Sequence, residues 1–202
     1  MTSRRKRRNG LLWRAAAVAA LLGLTAIVWH FDDLMYPADW FVDDTLYHEE
    51  IAEAAGRHGV DPELVRALIF QESRFDPLAR GGAGEIGLMQ VLPKGAAAEW
   101  ARVSKQPRPT TRELFDVKTN LNIGCWYLAR ALRRWREYDA KVELALAQYN
   151  AGENRAKGWV PPRKDGTVVE RVTVPSTRRY ITRIMRRYRK YAARRKGDPA
   201  AK

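Results

Sequence analysis

The sequence is poor in the residues that bind metals and form disulfides, with one cysteine and three histidines among 202 residues. A single cysteine, Cys125, excludes an intramolecular disulfide and any site built from several thiolates. The histidines His30, His48 and His58 lack the His-Glu-x-x-His spacing of zinc proteases, which excludes that class. No metal is expected, and Cys125, in an apolar helical setting, is expected to be a buried structural thiol.

Negative charge is scarce at both ends of the chain, although the net charge is +14. Residues 4–8 are all Lys or Arg, and residues 178–202 contain eleven cations and one acid, so the middle of the chain is close to neutral. No nucleic-acid-binding motif accompanies these basic ends. Nucleic acid is therefore not an expected partner, whereas anionic lipid or wall polymer fits the same charge.

The basic N-terminus precedes an apolar run, residues 11–31, in which Arg14 is the only ionised side chain. The run is long enough to cross a bilayer as a helix, and its basic flank should stay cytoplasmic. We expect residues 1–10 to be a cytoplasmic tail, 11–31 a single-pass inner-membrane anchor, and the rest to lie in the periplasm. A cleaved signal peptide is the alternative, but bulky residues 27–31 offer no small-x-small cleavage site.

Helical patterning dominates the remainder of the sequence. Residues 32–44 form a linker with Pro37 and five acids, residues 45–192 are predicted to fold as one domain, and 193–202 form a basic tail. The apolar spacing predicts helices at 46–58, at 120–138, from 139 or 141 to 152, and from 177 onward. Only residues 167–174 alternate between apolar and polar side chains, which predicts a short strand or an extended loop. The fold class is mainly α.

One carboxylate stands out, on a helix that Asp61 caps and Pro62 opens. Leu64, Leu68 and Glu72 follow at i, i+4 and i+8, which puts the carboxylate on the apolar face. The Asp76-Pro77 pair cannot continue the helix comfortably. Glu72 is predicted to lie at a loop edge, partly buried.

A glycine-rich stretch, residues 81–87, follows Glu72. Its Gly82-x-Gly84-x-x-Gly87 spacing matches the dinucleotide fingerprint, but that motif needs a preceding strand and a βαβ unit, and helices flank this one. The lysine and hydroxyl of a phosphate-binding loop are also absent. No cofactor is expected, and the glycines are interpreted as letting the backbone approach a bulky ligand beside Glu72.

Four short blocks occur in a recognisable order. They are Glu72-Ser73; Gly87-Leu88-Met89-Gln90; Asn122-Ile123-Gly124 with Tyr127-Leu128; and Tyr149-Asn150-Ala151-Gly152. With these blocks, residues 46–191 resemble the lytic transglycosylase catalytic domain of the lysozyme superfamily, which is related to goose-type lysozymes. The resemblance implies a lysozyme-like helical domain with a catalytic groove. Gln148 departs from the family's usual alanine, and Ser176 from its usual glutamate.

The resemblance also implies the site residues. Glu72 would be the catalytic residue. The substrate-binding residues would be Ser73, Met89, Gln90, Tyr149, Asn150 and Tyr180, the last from a closing helix that reaches the groove.

The implied substrate is the peptidoglycan glycan strand. Glu72 would protonate the β-1,4 oxygen between N-acetylmuramic acid and N-acetylglucosamine, then deprotonate the muramic acid 6-hydroxyl as it forms a 1,6-anhydro end. Burial among Leu68 and Ile69 would raise the pKa of the acid as this chemistry needs.

Two alternatives stay open. A hydrolytic muramidase would need a second carboxylate, for which Glu85 is the candidate. A non-catalytic wall-binding or assembly protein is the other, although an intact Glu72 argues against it. Protein partners are not indicated.

Overall fold

The computed structural model describes residues 42–197, and those from Asp43 onward belong to one folding unit. Its α-helices are α1 His48–His58, α2 Pro62–Glu72, α3 Ala98–Ser104, α4 Val117–Arg134, α5 Lys141–Ala151, α6 Glu153–Lys157 and α7 Pro175–Gly197. Short π or 3-10 turns occupy Pro93–Ala97, Glu113–Phe115 and Val169–Arg171. The mainly α prediction is confirmed.

The predicted anchor, the cytoplasmic tail, most of the linker and the last five residues of the basic tail lie outside the described residues. Within residues 42–197, no helix combines the length and the apolar character that crossing a bilayer requires.

Helix boundaries follow from local chemistry. Asp61 caps α2, because its Oδ1 accepts a hydrogen bond from Glu63 N at 2.9 Å, as predicted. Asp116 caps α4 in the same way through Thr119 N at 2.8 Å, so this helix begins before the predicted residue 120. Pro175 opens α7 two residues earlier than predicted, since its fixed φ suits the first helical position.

Two further predictions are corrected. Helix α1 begins at residue 48 rather than 46, because Tyr47 has a left-handed φ of 59°. Of the two alternatives for 167–174, the strand is wrong, because the segment is a loop that contains a 3-10 turn at Val169–Arg171. Its apparent alternation is misleading, since Val168 and Val172, four residues apart, are the buried pair.

The core lies where α2 packs on α7, α4 on α1, and α4 on α5. Leu68 and Ile69 are fully buried, and so is Cys125 on α4, as predicted. Burial raises the pKa of the Cys125 thiol to about 12, so this thiol is chemically inert at neutral pH. This core positions the C-terminal end of α2 against the first turns of α7.

Candidate active site

Glu72 is the last residue of α2, and its carboxylate is partly buried at a loop edge, as predicted. Tyr180 Oη, from α7, donates a hydrogen bond to Glu72 Oε1 at 2.5 Å. Burial raises the pKa of Glu72 to about 7; the Tyr180 hydrogen bond opposes this rise and the negative charge of Glu85 adds to it. A carboxyl group with this pKa is available both as acid and as base near neutral pH.

The chain reverses direction immediately after Glu72. Arg74 and Phe75 both have left-handed φ values, 53° and 65°, which are unfavourable for residues other than glycine. The packing of Phe75 holds this conformation, since its ring is buried and contacts the Phe70 ring edge-on at 6.4 Å between centroids. The strained turn ends α2 so that Glu72 faces the loop that follows.

Ser73 connects α2 to that loop. Its Oγ donates a hydrogen bond to Leu88 O at 2.8 Å and is 3.3 Å from Ile69 O in its own helix. Its hydroxyl therefore positions residues 87–90 next to the Glu72 carboxylate.

Met89, which was predicted to contact substrate, has a side chain that points into the core. Its side chain is fully buried, and a Cβ on Gly124 would come within 2.4 Å of its sulfur, so Gly124 is the residue that makes room for it. Its carbonyl accepts a hydrogen bond from Tyr149 Oη at 2.8 Å. Met89 therefore fixes the loop from inside the core.

Gln90 lies at the end of the loop with a left-handed φ of 46°. Its Nε2 donates to Gly87 O at 2.9 Å and is 3.3 Å from Ala79 O. Gln90 Oε1 lies next to Gly81, where an added Cβ would approach it to 2.7 Å. The partly exposed side chain thus joins the two ends of the glycine-rich loop and faces the same region as Glu85.

Tyr149 and Asn150 extend the site from α5. Tyr149 contacts the Tyr127 ring at 5.5 Å, and burial together with the charge of Glu72 raises the pKa of its hydroxyl well above the ordinary value. Asn150 is exposed, and its Oδ1 accepts a hydrogen bond from Thr177 Oγ1 at 2.8 Å. Asn150 thus links α5 to α7, and the Tyr149 hydroxyl stays protonated near the Glu72 carboxylate.

Asn120 is a positioning residue that the sequence reasoning missed in favour of Asn122. It is 1% exposed, its Oδ1 accepts from Met89 N at 2.9 Å, and its Nδ2 donates to Ile86 O and Leu114 O, both at 2.8 Å. A Cβ on Gly87, whose φ is 74°, would meet this amide at 2.5 Å. The detectable signal was the i, i+4 spacing of Asn120 and Gly124, which places both on one helix face.

The two departures from the family pattern lie away from Glu72. Gln148 is buried and its Oε1 accepts a hydrogen bond from Trp135 Nε1 at 2.9 Å, beside a cavity of about 540 Å³ that Arg130 and Arg134 also line. Ser176 is exposed in the first turn of α7. Neither side chain has a hydrogen bond to the residues around Glu72.

Comparison with known proteins gives a consistent result. The family model described as "Transglycosylase SLT domain" matches residues 49–167, more than half of the chain. Membrane-bound lytic murein transglycosylase E of Buchnera aphidicola is 38% identical over 84 residues, covering 41% of this chain and 38% of the relative. Membrane-bound lytic murein transglycosylase C of Yersinia pestis is 27% identical over 164 residues, covering 70% of this chain and 46% of the relative. The chain thus spans less than half the length of these relatives.

Solved structures share the fold. An inactive mutant of lytic transglycosylase Slt from Pseudomonas aeruginosa superposes with a TM-score of 0.67 at 23% identity, covering 84% of this chain and 29% of that chain. The 70 kDa soluble lytic transglycosylase of Escherichia coli gives 0.63 at 24% identity, covering 78% and 25%. The helical architecture around Glu72 is thus the one found in these enzymes, and the chain belongs to the transglycosylase SLT domain family.

Proposed function

We propose that this protein is a peptidoglycan lytic transglycosylase that uses Glu72 as its single acid and base. The observation that carries the proposal is a carboxyl group with a pKa of about 7 that accepts a hydrogen bond from Tyr180 at the edge of a glycine-rich loop. Family membership and the names of the relatives support the substrate, the β-1,4 linkage between N-acetylmuramic acid and N-acetylglucosamine.

The reaction has two proton transfers. Protonated Glu72 donates to the glycosidic oxygen, the bond from that oxygen to the muramic acid anomeric carbon breaks, and N-acetylglucosamine leaves with a new hydroxyl. The Glu72 carboxylate then accepts the proton of the muramic acid 6-hydroxyl while that oxygen bonds to the anomeric carbon. The 1,6-anhydro product forms without water, and Glu72 regains its proton.

Tyr180 stabilises the intermediate state of this cycle. Its hydrogen bond favours the Glu72 carboxylate, whereas burial favours the neutral acid, and the two effects together leave the pKa near 7. Burial also raises the pKa of Tyr180 well above its ordinary range, so the phenol remains a hydrogen-bond donor throughout. We assign four further residues to shaping and lining the groove next to Glu72: Ser73, Gln90, Tyr149 and Asn150.

Hydrolysis of the glycan strand is the second candidate, and the position of a second carboxylate, Glu85, favours it. Glu85 is partly exposed, accepts a hydrogen bond from Ala83 N at 2.9 Å, and is near enough for its charge to raise the pKa of Glu72. A second carboxylate in this position is what an enzyme needs to activate water.

The products decide between the two reactions. Purified sacculi digested with the enzyme should release muropeptides that are lighter by one water molecule than hydrolytic products and that lack reducing ends, as mass spectrometry and borohydride labelling will show. Reducing muramic acid ends as the main product would replace the proposed reaction by hydrolysis.

The two neighbours of Glu72 should shift its pH dependence in opposite directions. The rate needs protonated Glu72 and so falls as pH rises through about 7. Tyr180→Phe removes the interaction that lowers this pKa, so the descending limb should move to higher pH. Glu85→Gln removes a negative charge that raises it, so the limb should move to lower pH, with a maximal rate within about tenfold of wild type.

A pH–rate profile on soluble glycan strands measures both shifts. Shifts of the two variants in the same direction would contradict the assignment of these electrostatic effects. A loss of about 10²-fold or more in Glu85→Gln would identify Glu85 as a second catalytic group.

We further propose that residues 11–31 anchor the enzyme in the inner membrane with the catalytic domain in the periplasm. The apolar run behind a basic flank supports this placement, and several relatives are named membrane-bound. Protease added to spheroplasts should remove the domain and leave a short membrane-embedded stub, detected with an N-terminal tag. A mature protein that is soluble and begins after residue 31 would contradict it.

A further inference from the structure

Helix α7 has two chemically different faces. Its inner face is buried and includes Tyr180, Ile181 and Ile184. Its exposed side carries four cations, which we call the basic outer face: Arg179, Arg189, Lys190 and Lys196. At 3.6 residues per turn these positions fall within one arc of the helix surface, and α7 contains no acidic residue.

The start of the domain lies near the C-terminal end of the same helix. Asp44 Oδ2 is 3.8 Å from Arg194 Nη1, and Asp44 O accepts a hydrogen bond from Arg66 Nη2 at 2.7 Å. Arg195 is held by Asp61, with Nη1 to Oδ1 at 3.0 Å. The two acids therefore neutralise Arg194 and Arg195, which are not part of the basic outer face.

The short chain before Asp44 limits how far the domain can lie from the membrane. If residues 11–31 are in the bilayer, the twelve residues 32–43 allow at most about 40 Å between the membrane surface and Asp44. A helix of 23 residues is about 35 Å long. The tether is therefore long enough to allow α7 to lie along the membrane with the basic outer face toward the headgroups.

We propose that the basic outer face of α7 binds anionic phospholipid headgroups and so orients the catalytic domain on the membrane. The inference rests on the anchor proposed above. Cations on one helix face gain attraction from an anionic bilayer within a Debye length, and the short tether keeps the local lipid concentration high. Because Tyr180 is on the inner face, docking through the outer face leaves its hydrogen bond to Glu72 undisturbed.

A single labelling position on α7 tests this contact in the full chain. Ala193 is exposed on the same side of α7, and the native thiol, Cys125, is buried, so Ala193→Cys should be the only reactive site. The labelled protein is reconstituted in phosphatidylcholine vesicles with or without about one-third phosphatidylglycerol, with a quencher on the lipid headgroups. We expect at least about threefold stronger quenching with phosphatidylglycerol, and its loss at about 0.5 M salt, where the Debye length is on the order of 4 Å.

Charge reversal separates the basic outer face from general attraction. The triple variant Arg179→Glu, Arg189→Glu and Lys190→Glu should abolish the phosphatidylglycerol-dependent quenching. The matched variant Arg102→Glu, Arg108→Glu and Lys118→Glu changes the same net charge at exposed positions outside α7 and should keep it. A second label, Val103→Cys on α3, should report no lipid dependence.

Several outcomes would overturn the proposal. They are equal quenching in the two vesicle types, equal loss in both triple variants, and binding of the basic outer face to nucleic acid or wall polymer without binding to vesicles. Cleavage of soluble glycan strands by the α7 triple variant should stay within about threefold of wild type. Failure of lipid docking is thereby distinguished from failure of the catalytic assignment.

Discussion

Glu72→Gln is expected to lower the rate of sacculus lysis by at least about 10³-fold without unfolding the domain. Loss of a general acid or base alone costs about 10²-fold to 10⁴-fold, and Glu72 is proposed to fill both roles in one cycle. The amide can still accept the Tyr180 hydrogen bond through its carbonyl oxygen, so the site geometry should persist. Release of soluble muropeptides from labelled sacculi measures the loss.

The same variant should become more stable than the wild type as the pH rises. The pKa of Glu72 is about 7 in the folded protein and near 4.5 in the unfolded chain, so the folded state holds its proton more tightly. Stability of the wild type therefore decreases as pH rises from about 4.5 through 7, by a difference on the order of 3 kcal/mol above that window. Glutamine does not titrate, and Glu72→Gln should melt at a higher temperature than wild type at pH 8, with a smaller difference at pH 5.

Glu85→Gln is the matched control for this experiment, because it makes the same chemical change in the same loop region. It should retain activity within about tenfold. A folded Glu72→Gln enzyme with appreciable residual lysis would show that another group supplies the proton.

Local signals were sufficient to predict the position of Glu72. The Asp61 cap and Pro62 mark where α2 begins, and the spacing of Leu64, Leu68 and Glu72 puts the carboxylate on the buried face. These are short-range rules that depend on helix geometry alone. The partly buried position at the helix end follows from them and is confirmed.

Contacts between distant segments could not be derived from spacing. Tyr180 is 108 residues from Glu72 along the chain, and only the packing of α7 on α2 brings the two together. The family resemblance supplied the role of Tyr180 near the groove, but neither its partner atom nor the effect of that contact on the pKa.

Irregular backbone explains why the inward direction of the Met89 side chain could not be predicted from spacing. Residues 87–90 lie in a loop where Gly87 and Gln90 have left-handed φ values, so neither helical nor strand periodicity predicts which side chains point inward. The direction of Met89 depends instead on the space left by Gly124 on another helix. This dependence becomes visible only once α4 is placed against the loop.

Asn120→Ala is expected to destabilise the domain by about 3 to 5 kcal/mol, the largest stability change among the substitutions considered. The substitution leaves Met89 N and Leu114 O without a partner in a buried setting. Ile86 O loses one of two hydrogen bonds and keeps the one from Val91 N. Each unsatisfied buried group costs about 1 to 3 kcal/mol, offset in part where water or a backbone shift satisfies it. Urea unfolding followed by circular dichroism measures the change in the free energy of unfolding.

Asn122→Ala is the matched control, two residues further along the same helix. Asn122 is only partly buried, and its Oδ1 is bonded to the side chains of His58 and Arg57, at 2.9 and 3.1 Å. Both of these partners are polar groups with access to solvent, so the loss should be about 1 kcal/mol or less.

The activity of the two variants should differ as well. Asn120 binds the loop that carries Gln90, and the same loop contacts Ser73 through Leu88 O. At temperatures where Asn120→Ala remains folded, its rate of lysis should be at least about tenfold below wild type, since displacement of a catalytic group's surroundings by about 1 Å can cost that much. Asn122→Ala should keep wild-type activity. Equal stability losses in the two variants, or full activity in folded Asn120→Ala, would show that the buried amide does not hold the loop beside Glu72.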